Sequence, residues 1–320
     1  MKQRLVFSMD IGGTRTKYGV VDLVEKRIIA NLTLLTETKD QAALVQAAGD
    51  AFRELSRQVG LRKGEVVAGG VGVPGYVDGD QVSLVWESIA FIEGDTFRPA
   101  MQKELGFPIR LDNDARAAAM GEAYFGGHSS PGVWNLSADK GQPSRLLSLT
   151  LGTGMGVALV VDGQLLEKSS INHLAGHIPI RLGAGKCFCG FSGCLESLVS
   201  GPGLLQSFIN LNQDKLIDEA ASTDARRIFK LAERGNPAAK QAVIQLVDDL
   251  TVGLNAYIFL YGPDVIVLGG GLANSLGLWL PIIRKGIFAH PFTGYQVKVS
   301  LSTLGEQAGL FGAASLWANN

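Results

Sequence analysis

Apolar and polar positions alternate in short blocks at the start of the chain. Residues 5–10, 16–22 and 28–35 read as three strands separated by glycine and polar turns. From Asp40 the period changes: Ala43, Leu44, Ala47, Ala51, Phe52 and Leu55 form an apolar stripe at helical spacing, which predicts a helix of about twenty residues. Residues 66–73 read as a buried strand stopped by Pro74 and Gly75. A helix over 97–105 and a strand over 109–111 follow. The order β, β, β, α, β, α, β indicates an α/β lobe.

The opening theme then recurs. Residues 146–151 form a strand, 152–156 a glycine loop and 157–161 the returning strand, echoing the turn around Gly12 and Gly13. Helical patterning dominates 203–260, a strand over 264–268 stops at Gly269, Gly270 and Gly271, and the last helix covers 307–318. The repeat predicts two lobes with a cleft between them: 1–113, and 114–304 carrying a cysteine loop at 177–194. The final segment, 305–320, is expected to pack back on the first lobe.

Composition narrows the class. Apolar residues make up 46% and charged residues 18%, so the chain can bury a sizeable core. Forty-one glycines in 320 residues ask for tight turns or close backbone approaches to a ligand. A formal net charge of −1 leaves no global field for nucleic acid or an anionic membrane. The first residues hold no signal-peptide core, and no apolar run approaches the length of a membrane span, so the expected compartment is the cytoplasm. The three cysteines fall within eight positions, a poor disulfide framework and a good metal site.

Three glycine loops carry candidate nucleotide chemistry. In MDIGGTRTKYG, Asp10 ends a strand and Gly12, Gly13 and Thr14 form a turn whose N–H groups could meet phosphate oxygens, although such a pair alone is also an ordinary hairpin turn. LGTGMG repeats the setting with Gly152, Thr153 and Gly154, and LGGGLA places Gly269, Gly270 and Gly271 between a strand and a helix. None matches a P-loop or a dinucleotide fingerprint, so ATP would be gripped by hairpins instead. In LDNDARAAAMGE, Asn113 and Asp114 stand between a strand and an alanine-rich helix. Asp114 is either a helix cap or a general base; beside three phosphate loops, a carboxylate that takes the proton of an attacking hydroxyl is what phosphoryl transfer needs. Asp10 is the candidate to orient Mg2+ through water.

His177, Cys187, Cys189 and Cys194, in GHIPIRLGAGKCFCGFSGCLE, offer one imidazole and three thiolates for a closed, structural Zn2+ site. Glu196 follows as either a solvated helix-start residue or an acceptor for substrate hydroxyls.

DIGGT, GVPGYVD, DNDARAAAMGE, LGTGMG, the GH before CFCGFSGCLE, VLGGGLA and GLFGAASL together resemble the ROK family, named for repressor, open reading frame and kinase. The likeness covers nearly the whole chain. It implies a two-lobed actin-like ATPase fold, ribonuclease H-like and of hexokinase type, with a zinc-binding loop. It also implies a glucokinase-like sugar kinase using ATP and Mg2+, commonly a homodimer. By that resemblance Asp114 is the catalytic base, Asn113, His177 and Glu196 face the sugar, and Gly75 and Tyr76 lie beside it. Some members are sugar-sensing repressors with a DNA-binding domain ahead of the first loop; Asp10 stands too near the start of this sequence for one, which favours the kinase branch. Two positions depart from the family pattern. Leu174 stands where a sugar-binding glutamate is usual, and Arg116 where an asparagine is usual. Both predict altered sugar specificity, with a non-catalytic sugar sensor as the alternative; His173 is a candidate replacement contact.

Overall fold

A computed structural model of the protein describes residues 4–83, 85, 87–128, 144–166, 171–212, 224–287 and 295–318. The chain divides into two compact units: Met1–Gly127 with Gly163–Ile171 and Glu306–Asn320, and His128–Asp162 with Asn172–Gly305.

The first unit opens on a meander. β1 (Leu5–Ile11), β2 (Arg15–Asp22) and β3 (Arg27–Leu35) pair antiparallel through short turns. α1 (Gln41–Val59) then crosses the sheet; Asp40 caps it by accepting the Ala43 N–H at 2.8 Å, and Gly60 ends it in the left-handed region. Such a cap is worth about 1 kcal/mol. β4 (Val66–Val73) returns parallel to β1. A short hairpin, β5 (Tyr76–Asp78) and β6 (Gln81–Ser83), precedes α2 (Phe97–Leu105), and β7 (Ile109–Asn113) joins β4 in parallel. The sheet order is β3-β2-β1-β4-β7. Its core joins Phe7, Met9, Tyr18 and Val20 to Leu44 and Leu55 of α1 and Met101 of α2. α3 (Asp114–Phe125) leaves the end of β7.

The second unit repeats the plan. β8 (Arg145–Leu151) and β9 (Met155–Val161) form an antiparallel hairpin, and β10 (Val265–Gly269) and β11 (Lys298–Leu301) continue the sheet in parallel, giving the order β9-β8-β10-β11. Between β9 and β10 the chain forms α4 (Leu195–Val199), α5 (Gly201–Leu211), α6 (Ala225–Glu233) and α7 (Pro237–Tyr261); α8 (Leu280–Gly286) precedes β11. Residues 213–223 of the helical stretch expected from sequence lie outside the described residues. α7 is long and apolar enough to cross a membrane by length and composition, a length the reading of apolar runs missed because Asp248 and Asp249 interrupt the pattern without ending the helix. Leu246, Val247, Leu250 and Leu254 of α7 belong to the core of this unit.

The chain returns to the first unit with α9 (Ala308–Ser315), which packs on α3, β1 and β4. The sequence reading placed the boundary between residues 113 and 114. The division in the structure falls after Gly127, because the small residues of α3 are buried against α9.

Candidate active site

In each unit the ends of the central parallel strands carry candidate site residues. In the first, Asp10 of β1 is in register with Gly72 of β4, and Gly72 with Asp112 of β7. Asp10 and Asp114 flank Gly72: a Cβ added there would lie 3.7 Å from Asp10 Oδ1 and 3.4 Å from Asp114 Cα. Burial pushes the Asp114 carboxyl up to about 7, and the negative charge of Asp10 adds to the rise. Asp10 is raised as well, by burial, against the opposing pull of Lys17, whose Nζ lies 3.7 Å from Asp10 Oδ2 and donates to the Glu306 carbonyl at 2.7 Å.

Asn113 caps α3. Its Oδ1 accepts from the N–H groups of Ala115 (3.0 Å) and Arg116 (3.1 Å), and its Nδ2 donates to the Gly75 carbonyl at 2.8 Å and to Asp114 Oδ1 at 3.0 Å. The cap is therefore the asparagine, and Asp114 occupies the first helical position, where its Oδ1 also accepts the Ala115 N–H at 2.8 Å. Gly75 has φ of 114°, which favours glycine, and leads into Tyr76 at the start of β5. The structure thus brings Asp10, Gly75, Asn113 and Asp114 together. Arg116 is buried, and its Nε donates to Asp112 Oδ1 at 2.7 Å, an ion pair from the first turn of α3 back to the end of β7.

The first glycine turn is knitted to β3. Gly12 N–H donates to the Arg15 carbonyl, the Thr36 N–H to the Thr14 carbonyl, and the Thr36 hydroxyl to the Gly12 carbonyl at 2.6 Å. The N–H groups of Gly13 and Thr14 have no partner among the described residues, and both residues are exposed.

In the second unit the glycine turns gather around Leu151 and Gly152. Gly152 N–H donates to the Gly154 carbonyl, and the Gly152 carbonyl accepts the Gly201 N–H at 2.8 Å. Gly269 is in register with Thr150. Gly270, at φ of 84°, lies against the Leu151 backbone, where any Cβ would collide, and the Leu151 carbonyl accepts the Leu272 N–H at 3.0 Å. Gly271 lies beside the Arg226 guanidinium; a Cβ there would stand 3.6 Å from it. The N–H groups of Thr153 and Gly154 have no partner among the described residues. Sequence reasoning missed Gly201, Arg226 and Lys17. The run Ser200-Gly201-Pro202-Gly203, a glycine turn opening a helix like the third loop, was the available signal for the first of these.

His177, Cys187, Cys189 and Cys194 form one cluster whose ligand atoms all lie within 4.8 Å of one another, with His177 Nδ1 3.3 Å from Cys187 Sγ and Cys189 Sγ 3.6 Å from Cys194 Sγ. A tetrahedral ion with bonds of about 2.0–2.3 Å needs such spacings. Burial first, and then the Cys189 and Cys187 thiols, push the Cys194 thiol up to about 12. Donor chemistry and spacing therefore fit a structural Zn2+. Glu196, two residues on, accepts the Met155 N–H at 2.9 Å through Oε2. Leu174 lies on the turn Ile171–His177; the side chain of His173 lies outside the described residues.

Two repeats of one α/β plan, each with a glycine hairpin on its first two strands and a parallel strand beside them, define the actin-like ATPase fold. The sequence matches the ROK family over residues 6–320, and the chain belongs to that family. It is 27% identical to an N-acetyl-D-glucosamine kinase of Aliivibrio salmonicida (98% of this chain, 99% of the relative). It is 30% identical to a glucokinase of Streptomyces coelicolor (98% and 97%). Among solved structures it superposes on a ROK family glucokinase from Streptomyces griseus in complex with glucose and AMPPNP, with a TM-score of 0.78, 26% identity and 98% of both chains covered.

Proposed function

We propose that this protein transfers the terminal phosphate of ATP to a hydroxyl of a small sugar, a hexose or aminosugar, with Asp114 as the general base. The observation that carries the reading is the Asp114 carboxyl, raised to about 7 beside a second carboxylate at the head of a helix. At neutral pH such a group is partly ionised and poised to take a proton. Its ties to Asn113 and the Ala115 N–H fix its orientation, and Asn113 extends the constraint to Gly75 and, through it, to Tyr76.

In this reading the N–H groups of Gly13 and Thr14, and those of Thr153 and Gly154, which have no partner among the described residues, are offered to phosphate oxygens. Gly269, Gly270 and Gly271 present backbone without side chains to the rest of the nucleotide. Asp10, a half-buried carboxylate only partly balanced by Lys17, fits a cation, and Mg2+ held there would neutralise phosphate charge. His177 and Glu196 contact sugar hydroxyls, and the zinc cluster holds their loop. Family kinship supports the class of reaction; a homodimer and the cytoplasm are carried over from the same kinship.

A panel of hexoses and aminosugars in an ADP-coupled assay tests the proposal. Turnover on one of them, lost in Asp114→Asn with binding of an ATP analogue retained, is the expected outcome. ATP hydrolysis that ignores every sugar would overturn it.

A further inference from the structure

We infer that Glu196 is a positioning residue for the second glycine hairpin, and that through it the metal cluster sets the aim of the Thr153 and Gly154 N–H groups. The inference rests on the reading that this hairpin grips a nucleotide phosphate.

The hydrogen bonds of the hairpin make the case. Gly152 N–H is held within the turn by the Gly154 carbonyl at 3.0 Å, and Gly156 N–H by the Thr150 hydroxyl at 3.2 Å. Met155 N–H, at the foot of β9, is held from outside the hairpin, by Glu196 Oε2 at 2.9 Å. The carboxylate also packs on the turn itself: a Cβ on Gly154 would lie 3.3 Å from the same oxygen. What remains for a ligand among the described residues of the turn is the pair Thr153 and Gly154, and Glu196 braces the residue that follows them.

Glu196 is itself braced by the metal loop. Cys194 is the N-cap of α4, the fully buried Leu195 donates its N–H to the Ile178 carbonyl at 2.9 Å, and Cys194 bridges Pro179 in antiparallel fashion. The opposite end of the ligand set reaches the same residue. Gly176, adjacent to His177, lies so close to the Met155 carbonyl that a Cβ would stand 2.9 Å from it, and the buried Tyr257 hydroxyl donates to the Ala175 carbonyl at 2.8 Å. Met155 is thus touched from both sides of the cluster, its N–H through Glu196 and its carbonyl through Gly176. An ion that draws His177 and Cys194 together holds these two contacts in one register. A carboxylate that only met sugar would have no need of the hairpin amide.

Amide hydrogen exchange of the zinc-loaded protein, without nucleotide or sugar, reads the brace directly. Glu196→Ala is expected to speed exchange at Met155 by about tenfold or more, the scale of losing one hydrogen bond to a charged group, and Glu196→Gln, whose side-chain carbonyl can accept the same N–H, to leave it within about twofold of wild type. Stripping zinc from the wild-type protein with a chelator is expected to reproduce the Ala pattern over residues 152–156, a comparison that decides the matter even if the Ala variant does not fold. Wild-type exchange at Met155 after zinc removal, or in a folded Glu196→Ala, overturns the inference. Calorimetry with a non-hydrolysable ATP analogue and Mg2+ separates the two layers. Binding to wild type that weakens about tenfold in Glu196→Ala and not in Glu196→Gln agrees with both, unweakened binding in a folded Glu196→Ala overturns the inference, and no binding to wild type removes the nucleotide reading while the exchange result still decides the role of Glu196.

Discussion

The two glycine hairpins share a plan and differ in one residue that matters. In the first, β1 ends Met9-Asp10-Ile11-Gly12; in the second, β8 ends Leu149-Thr150-Leu151-Gly152. Asp10 and Thr150 hold the same place, each in register with a glycine of the parallel strand, Gly72 or Gly269. Each turn also satisfies its first glycine N–H internally and leaves the next two donors without partners among the described residues. One repeat thus sets a carboxylate behind its donors, while the other sets a hydroxyl turned inward to the Gly156 N–H. Duplicated backbone therefore presents two similar pairs of N–H donors, and the strand-end residue, Asp10 against Thr150, makes the setting of one of them acidic. Their bracing differs too: Thr16 and Thr36 hydroxyls tie the first turn to β3, and Glu196 ties the second to the metal loop.

The largest expected effect falls on the acidic side. Asp114→Asn removes the carboxylate proposed as general base and is expected to lower kcat by about 10²–10⁴ with little change in nucleotide affinity. Thr150→Val, at the counterpart of Asp10, is expected to cost no more than about threefold, since it deletes one weakly placed hydroxyl contact of 3.2 Å. Steady-state kinetics of both variants check the contrast. A larger loss in Thr150→Val than in Asp114→Asn would mean that the chemistry sits with the other hairpin.

A pair of glycine substitutions sharpens the comparison at smaller scale. A Cβ on Gly309 of α9 would collide with the Asp10 carboxylate, whereas one on Gly154 would meet Glu196 Oε2 at 3.3 Å and require a shift of only a few tenths of an ångström. Gly309→Ala is expected to destabilise the protein by about 1–3 kcal/mol and to lower activity about tenfold by displacing Asp10, and Gly154→Ala to do about a third as much. Chemical unfolding and kcat/KM measured on both variants test the order; equal effects would mean that Asp10 moves aside freely.

Local pattern made much of this legible. Asp10 could be singled out because it lies at the end of a buried strand before a glycine turn, Asp114 because it stands between a strand and an alanine-rich helix, and the cysteine spacing alone brought His177, Cys187, Cys189 and Cys194 into one cluster. The strand and helix order followed from periodicity, and the duplicated hairpin from two similar glycine runs. What escaped depended on contacts between distant segments. No local signal says that Lys17 reaches Asp10 and Glu306 at once, that Gly309 must lack a side chain because Asp10 lies over it, or that α3 packs on α9 and so belongs to the first unit. Glu196 was noticed for its place after Cys194, yet its partner, the Met155 N–H, lies in another motif. Arg116 was read from its departure alone as a specificity residue. Its Nε–Asp112 contact anchors that side chain beside the strand end from which Asn113 and Asp114 depart.

The remaining effect is a dependence of stability on pH that belongs to the paired carboxylates of the first unit. Asp114 has an ordinary value of 3.8 and is raised to about 7 in the folded protein, mainly by burial and secondly by Asp10. A raised carboxyl means that the folded state holds the proton more tightly than the unfolded chain. Its contribution to stability is therefore complete below about pH 3.8, is lost as pH rises through the folded value near 7, and stays lost above it. Three pH units correspond to a ceiling of about 4 kcal/mol, and solvent access to a half-buried side chain brings the expectation to about 1–2 kcal/mol. The amide that Asp114→Asn introduces is neutral at every pH and also relieves Asp10 of a like charge. Without magnesium or nucleotide, the Tm of Asp114→Asn minus that of wild type is expected to be near zero at pH 4, to climb between pH 4 and 7, and to level off a few degrees higher at pH 8. The matching experiment on Thr150→Val, which removes no charge, is expected to give a difference that does not change with pH. A flat difference for Asp114→Asn as well would mean that its carboxylate is as well solvated folded as unfolded, and the asymmetry between the hairpins would then be one of shape without charge.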